Sequence, residues 1–335
     1  MKVRDLILTI LAAGIALACA ACATQQTADP DYSKANFDRA DAGVHLIRGT
    51  FEQGRGLDGN TVVLDAKGGL IVFDTGRHAA HTQKILDYAK RRGLPIIAIL
   101  NSHWHLDHIS GNPALLDAFP KAAVYSSDAA LAEALGGFLA KGAENNRKQI
   151  AEGKLDPGQL EDAKSDLAAV EAGARLHPIV PLEETQTLTI AGRTVDAHFA
   201  KGASAGDIWL YDPKAKLVLA GDLITLPAPF LDTACPIAWR QGLDEILAQP
   251  FETVVPGHGR VMTRADVTIY RDAFSALVAC ARGTAEATIC ADAWATSVAP
   301  LQDGAETDGR AARGYARYYV ESVLRPGATP ADCPE

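Results

Sequence analysis

The segment Asn101–Asn112 reads NSHWHLDHISGN and crowds three histidines and one aspartate between His103 and His108. On an extended or looped backbone, residues two apart point the same way, so His103 and His105 can converge on one ion. Asp107 and His108 lie just beyond and can serve a second ion close by. Imidazole and carboxylate donors without thiolate suit Zn²⁺, with Fe²⁺ and Mn²⁺ left open. The alternating Trp104 and Leu106 are then expected to point into the core. A chain that carries such a loop has to bury the strand delivering it and to recruit further ligands from elsewhere.

PIIAILNSH, residues 95–103, is that buried strand, and the motif sits on the loop past its end, where α/β proteins commonly place their chemistry. Upstream, GVHLIRGT, NTVVLDA and GLIVFDTG are β-branched runs broken by Gly and Asp. HTQKILDYAKRRG follows with helical spacing and a glycine stop. Residues 128–176 read as mostly helical with charges on one face. They interrupt the strand pattern as an insertion that either covers the site or packs as a plain helical hairpin.

Strands resume with QTLTIAGRTVDAHFA, DIWLYDP and KLVLAGDLI, and the helix GLDEILAQ precedes the strand FETVVPGHG. The order strands, helix, strand, ligand loop thus occurs twice, which predicts two similar halves facing each other with helices outside. Asp222 ends the apolar run KLVLAGD. His258 follows a strand, and its flanking glycines allow close backbone approach. Both are placed to join the rim that carries the histidine cluster.

The ends of the chain read differently. MKVRDLILTILAAGIALACAACATQQ has a short basic start, an apolar run and small residues, the pattern of an export signal over residues 1–23. Two processing routes stay open: lipidation at Cys19 with anchoring to a membrane facing the periplasm, or cleavage at the A-x-A-like Ala21–Ala23 to give a soluble periplasmic protein. A polar linker is expected at 24–40, the main domain at 41–265, and a helical extension at 266–335. After export four cysteines remain, Cys235, Cys280, Cys290 and Cys333. In an oxidising compartment an even count points to two disulfides, with Cys280 and Cys290 close enough to staple a helical hairpin. The net charge of −9 and the lack of a basic cluster exclude a nucleic-acid surface and leave a small molecule as the expected partner. Oligomeric state leaves no trace in the sequence.

DTG at Asp74–Gly76, SHWHLDHISGN, AGDLI and PGHG, taken in order, resemble the metallo-β-lactamase fold superfamily over about residues 40–265. The resemblance implies an αββα sandwich with metals at one edge. It assigns His103 and His105 to a first metal, Asp107, His108 and His258 to a second, and Asp222 as the bridge. It also makes Asp74 the group that steadies a ligand histidine. One position departs from the pattern. The third histidine of the first metal normally precedes an S-x-G-D turn; Ser204, Gly206 and Asp207 match the turn, but Ala203 stands where the histidine belongs.

Three arrangements follow: the second metal alone; both metals, the first held by His103, His105 and Asp222; or a substitute ligand such as His198 or, less favourably, Lys201. The implied chemistry is attack of metal-activated water on a carbonyl, with Asp107 orienting the water and carrying a proton to the leaving group. Asp222 resembles the aspartate of glyoxalase-II-like and lactonase-like hydrolases, where typical zinc β-lactamases carry Cys or Ser. Ester, thioester, lactone or amide hydrolysis is therefore expected, with weak β-lactam turnover. LPAPFLDTACPIAW, directly after Asp222, reads as a pocket wall or an ordinary covering loop. Ala203 keeps a second reading open, a degenerate, non-catalytic metal-binding or accessory protein.

Overall fold

The strand runs assemble into two sheets in the computed structural model, which describes residues 38–50, 55–303 and 309–325. The first sheet holds β1 (Asp38–Arg39), β2 (Val44–Ile47), β3 (Thr61–Ala66), β4 (Gly69–Phe73), β5 (Ile96–Leu100), β6 (Ala123–Ser126) and β7 (Val180–Pro181), side by side in that order. Pairing is antiparallel from β1 to β4 and parallel from β4 to β7. The second sheet contains β8 (Gln186–Ile190), β9 (Arg193–Ala200), β10 (Asp207–Asp212), β11 (Leu217–Thr225) and β12 (Thr253–His258), ordered β12-β11-β10-β9-β8. The first strand begins inside the segment read as linker, because Asp38 and Arg39 pair with His45 and Val44.

Alternation along the strands explains the layering. Val62, Leu64, Ile71 and Phe73 of the first sheet share one apolar cluster with Val195, Ile208, Leu210 and Leu219 of the second. The other face of the first sheet, with Val63, Leu70, Val72 and Ile99, packs on α1 (Ala79–Arg92) and α3 (Asn112–Ala118) through Ile85, Ala89 and Leu115. The outer face of the second sheet packs on α7 (Pro236–Ala248), α8 (Arg264–Arg282), α9 (Ala287–Val298) and α10 (Arg310–Tyr319). The result is the αββα sandwich. The C-terminal helices share one apolar cluster with β10 and β11, so they complete the outer layer rather than form a separate body. A Cys280–Cys290 disulfide joins α8 to α9. Residues 1–23, read as an export signal, with Cys19 among them, and Cys333 lie outside the described residues.

Residues 128–176 fold as the expected helices, α4 (Asp128–Gly136), α5 (Phe138–Glu152) and α6 (Pro157–Glu171), with a capping box at Asp156 and Gln159 opening α6. A short α2 (Leu106–Ile109) lies within the histidine loop. Trp104 and Leu106 are buried, but against Leu131, Leu139 and Ala169 of the insertion rather than in the inter-sheet core.

The insertion is tied to the sandwich by charge. Arg55 donates to both oxygens of Asp162 on α6. His78, at the start of α1, spans Asp58 at 3.0 Å and Asp162 at 2.9 Å, one carboxylate on each ring nitrogen. The hydrogen bond to Asp58, aided by the one to Asp162, raises the pKa of His78 above its ordinary value against the opposing effect of burial. A histidine with a raised folded pKa contributes stability that is complete below its unfolded pKa and is lost as pH climbs through the folded one. Protection of residues 157–171 from hydrogen exchange, corrected for intrinsic rates, is therefore expected to fall as pH rises above the ordinary histidine range. His78→Gln should flatten that profile.

Candidate metal centre

Four chain segments meet at one edge of the sandwich. β4 delivers Asp74, β5 delivers the histidine loop, β11 carries Asp222, and β12 ends on His258. Asp222 does not end its strand as the apolar run predicts. β11 continues to Thr225, and a register irregularity between Gly221 and Thr225 accompanies the turn of the carboxylate towards the rim. Gly221 takes φ +52°, and a Cβ there would meet Ser102 at 2.5 Å. At Gly257 a Cβ would stand 1.9 Å from Asp222 Oδ1, so only glycine leaves room for that carboxylate.

The donor atoms form two convergent sets, His103 with His108 and Asp222, and Asp107 with His108 and His258. Asp222 Oδ1 lies 3.3 Å from His108 Nε2 and 3.5 Å from His258 Nε2, and its Oδ2 lies 3.9 Å from His103 Nε2. Asp107 Oδ2 is 2.9 Å from His258 Nε2. His103 Nε2, His108 Nε2 and Asp222 Oδ1 are buried without a hydrogen-bond partner. Buried polar atoms are normally paired, so lone pairs that face one another without partners fit a cation between them.

The outer hydrogen bonds assign the ring tautomers. Ser102 Oγ donates to Asp74 at 2.8 Å, so it accepts from His103 Nδ1–H at 2.9 Å. His108 Nδ1–H donates to the same carboxylate at 2.8 Å. Thr233 Oγ1 donates to the Ala203 carbonyl at 2.8 Å, so it accepts from His105 Nε2–H at 2.8 Å. Each ring thus has one nitrogen fixed by the protein and the other presenting a lone pair, Nε2 in His103 and His108 and Nδ1 in His105. Asp74 steadies His108 and, through Ser102, His103.

His105 belongs to neither convergent set, although its ring lies 4.3 Å from that of His103, centroid to centroid. The reason is local. His105 caps the short helix α2, where the strand-like alternation used to pair it with His103 gives way to a helical turn. His108 instead stands between both sets. Ala203 is fully buried in the apolar cluster of the second sheet, so the position of the missing histidine is a packing position. His198 stacks face to face on Trp209 at 3.8 Å and joins neither set.

Charge at the rim is strongly coupled. Burial raises the carboxyls of Asp107 and Asp222, but His108 and His258 outweigh it and hold both well below the usual carboxylate range. Burial lowers His103, and it lowers His105 to about 4, keeping both neutral as ligands must be. His108 and His258 go the other way. Burial alone would lower them, but Asp222 and Asp107 raise them.

The rim opens into a cavity of about 390 Å³. Leu226, Pro227 and Phe230 from the segment after Asp222 line it, as do Phe138 and Leu139 of the insertion and Tyr319 of α10. Ser102 and Thr233 have no place among the sequence-predicted site residues. Ser102 adjoins the histidine cluster and could have been suspected as a ring partner. Thr233 is 128 residues from the histidine it holds, and nothing local marks it.

A profile of the metallo-beta-lactamase superfamily matches residues 54–277, and the chain belongs to that superfamily. Among curated relatives, the linear primary-alkylsulfatase of Pseudomonas sp. is 25% identical over 59% of this chain and 41% of its own length. A hydroxyacylglutathione hydrolase of Synechococcus sp. is 27% identical over 42% of this chain and 40% of its own. The chain therefore spans about two fifths of these relatives. A stereoselective inverting sec-alkylsulfatase from Pseudomonas sp. shares the fold, with a TM-score of 0.57 and 19% identity over 88% of this chain and 51% of that one.

Proposed function

We propose that the chain is an exported, metal-dependent hydrolase that turns activated water on an ester, thioester, lactone or amide bond of a small molecule, with β-lactams poor substrates. One observation carries the reading: three imidazoles, each locked at one nitrogen, gather with Asp107 and Asp222 beside a cavity that His105, Asp107, Asp222 and His258 line. The names of the relatives, a hydroxyacylglutathione hydrolase and alkylsulfatases, support cleavage of an ester-type bond. Zn²⁺ suits the donor set best. When bound, such a cation supplies the Lewis acidity that brings the pKa of water toward ~7.

The chain's own residues do the rest. Asp107, held anionic, orients the attacking water and accepts its proton for transfer to the leaving group. Asp74, Ser102 and Thr233 fix ring orientation, so little reorganisation accompanies reaction. The apolar residues of the cavity exclude bulk water. Asp107, His108 and His258 would hold one cation with the full ligand set that the sequence motif calls for. His103 and Asp222, with His105 nearby, form the weaker position because Ala203 brings no donor.

A second reading, a non-catalytic metal-binding protein, rests on the packed Ala203 alone. Metal analysis of purified protein, combined with a panel of esters, thioesters, lactones and a chromogenic cephalosporin, separates the two. Bound metal with turnover is expected, and His258→Ala should abolish that turnover. Metal without turnover on any compound favours the second reading, and an unaffected His258→Ala variant would count against the mechanism. Mass spectrometry of the mature N-terminus tests export and distinguishes lipidation at Cys19 from cleavage near Ala23.

A further inference from the structure

The cavity above the donor rim has two unlike sides. One is aromatic. Trp104, Phe138, Phe230 and Tyr319 form a chain of tilted and edge-to-face rings, with centroids 5.7 Å apart for Trp104–Phe138, 6.3 Å for Phe138–Phe230 and 6.1 Å for Phe230–Tyr319. Phe230 in turn meets the His105 ring edge-on at 5.1 Å. The four rings come from four separate stretches of chain: the histidine loop, the insertion, the segment after β11, and α10. Such a surface takes an alkyl or aryl group.

The other side carries two arginines of different status. Arg55 is spent on Asp162 and Glu161. Arg77 is not. Its Nε is buried without a partner, and the acid it pairs with among the described residues, Asp166, stands 3.5 Å from Nη1, too far for a good hydrogen bond. Asp166 Oδ1 is itself without a hydrogen bond. The guanidinium is held by packing: a Cβ at Gly56 would lie 2.4 Å from Arg77 Nη1. Its charge is felt at Asp107, so it stands beside the donor rim. A guanidinium has five N–H donors in a fixed fork that matches paired oxygens. A buried Nε–H without an acceptor, on a guanidinium whose ion pair is long, is costly unless an acceptor arrives from outside.

We propose that the site takes an amphiphilic anion, with an apolar alkyl or aryl group against the aromatic side and a carboxylate or sulfate of the same molecule held by Arg77. The inference rests on the hydrolase reading for the cleaved bond, but not for binding. The geometry makes Arg77 a specificity-determining residue: it selects the charged end of the substrate, and the rings select the apolar end.

Calorimetric titration of the zinc-loaded full chain tests this with three probes that carry no bond to hydrolyse: 4-phenylbutyrate, 1-octanesulfonate and neutral 4-phenylbutanol. At least one anion should bind about tenfold more tightly than the alcohol, and the tighter of the two identifies the oxyanion class. Arg77→Met should lower that anion-to-alcohol ratio about tenfold, and Arg77→Lys should restore part of it. The double variant Arg77→Met/Asp166→Asn removes both charges together and should show the same loss, which guards against misfolding of the single variant. Phe230→Ala should weaken anion and alcohol alike. The proposal is overturned if neither anion binds the wild type up to about 10 mM, or if the ratio survives loss of Arg77. Absence of turnover on the hydrolase panel would leave these titrations unchanged, so the two readings fail separately.

Discussion

Asp222→Ala should strip purified protein of divalent metal and lower hydrolysis by about 10³-fold. The carboxylate is shared. Its Oδ1 faces His108 and His258, its Oδ2 faces His103, and among the described residues no other carboxylate is paired with all three rings. The loss differs from that of a single terminal ligand, because Asp222 is the carboxylate that belongs with His103 and also faces His108 and His258. Asp222→Asn, which keeps the shape but not the charge, should recover part of the metal content and little of the rate. Gly257→Ala gives an independent check. A Cβ at that position would lie 1.9 Å from Asp222 Oδ1, so the carboxylate has to move although every donor residue is still present. Metal analysis and rates that match Asp222→Ala would show that placement, not mere presence, of this carboxylate makes the centre. A Gly257→Ala enzyme with full metal and full rate would refute the geometry.

Much of this centre could be read from the chain, and the reasons are physical. Apolar, β-branched runs broken by Gly and Asp predict both sheets, and most of their positions are buried on both faces. Glycine at position 93 takes the left-handed conformation that ends α1, where the helical spacing stops. Asp107 and His108 sit on α2 just past the β5 run, Asp222 lies within the β11 run and His258 ends β12, and the fold brings these segments to one edge. What escaped was whatever depends on the backbone bending between neighbours. His105 was paired with His103 by strand alternation, but the chain turns into α2 at that residue and its ring is aimed at Thr233 instead. Asp222 was placed at a strand end, whereas a bulge inside β11 turns it to the rim. Thr233 and Arg77 act through contacts between distant segments, and no periodicity or motif marks such residues. Ala203 shows the opposite case. The motif alone shows only a lost ligand, and burial adds that Ala203 is part of the core packing.

Asp74→Asn should lower metal affinity about 10- to 100-fold while leaving every metal donor in place. Asp74 is fully buried, and burial pushes its carboxyl up while His108 and Ser102 pull it down. Its Oδ1 accepts the Ser102 backbone N–H at 2.7 Å, and its Oδ2 accepts Ser102 Oγ–H and His108 Nδ1–H at 2.8 Å each. An amide supplies one oxygen where the carboxylate supplied two, so the Ser102 N–H is left unmatched if the nitrogen takes the Oδ1 place, and Ser102 Oγ–H and His108 Nδ1–H if it takes the Oδ2 place, at about 1–3 kcal/mol for each donor. Residue 74 has φ +60°, a conformation that asparagine accepts, whereas alanine would add backbone strain. The asparagine variant therefore isolates the electrostatic role. Because His108 belongs to both donor sets, loosening it should weaken both metal positions together, and His103 loses the Ser102 link in the same step. Competition with a chromogenic zinc chelator reads the affinity, and thermal unfolding without metal reads the stability. An unchanged affinity in a variant of lowered stability would mean that Asp74 serves the fold alone, and the ring orientations would then have to be set by the histidine loop itself.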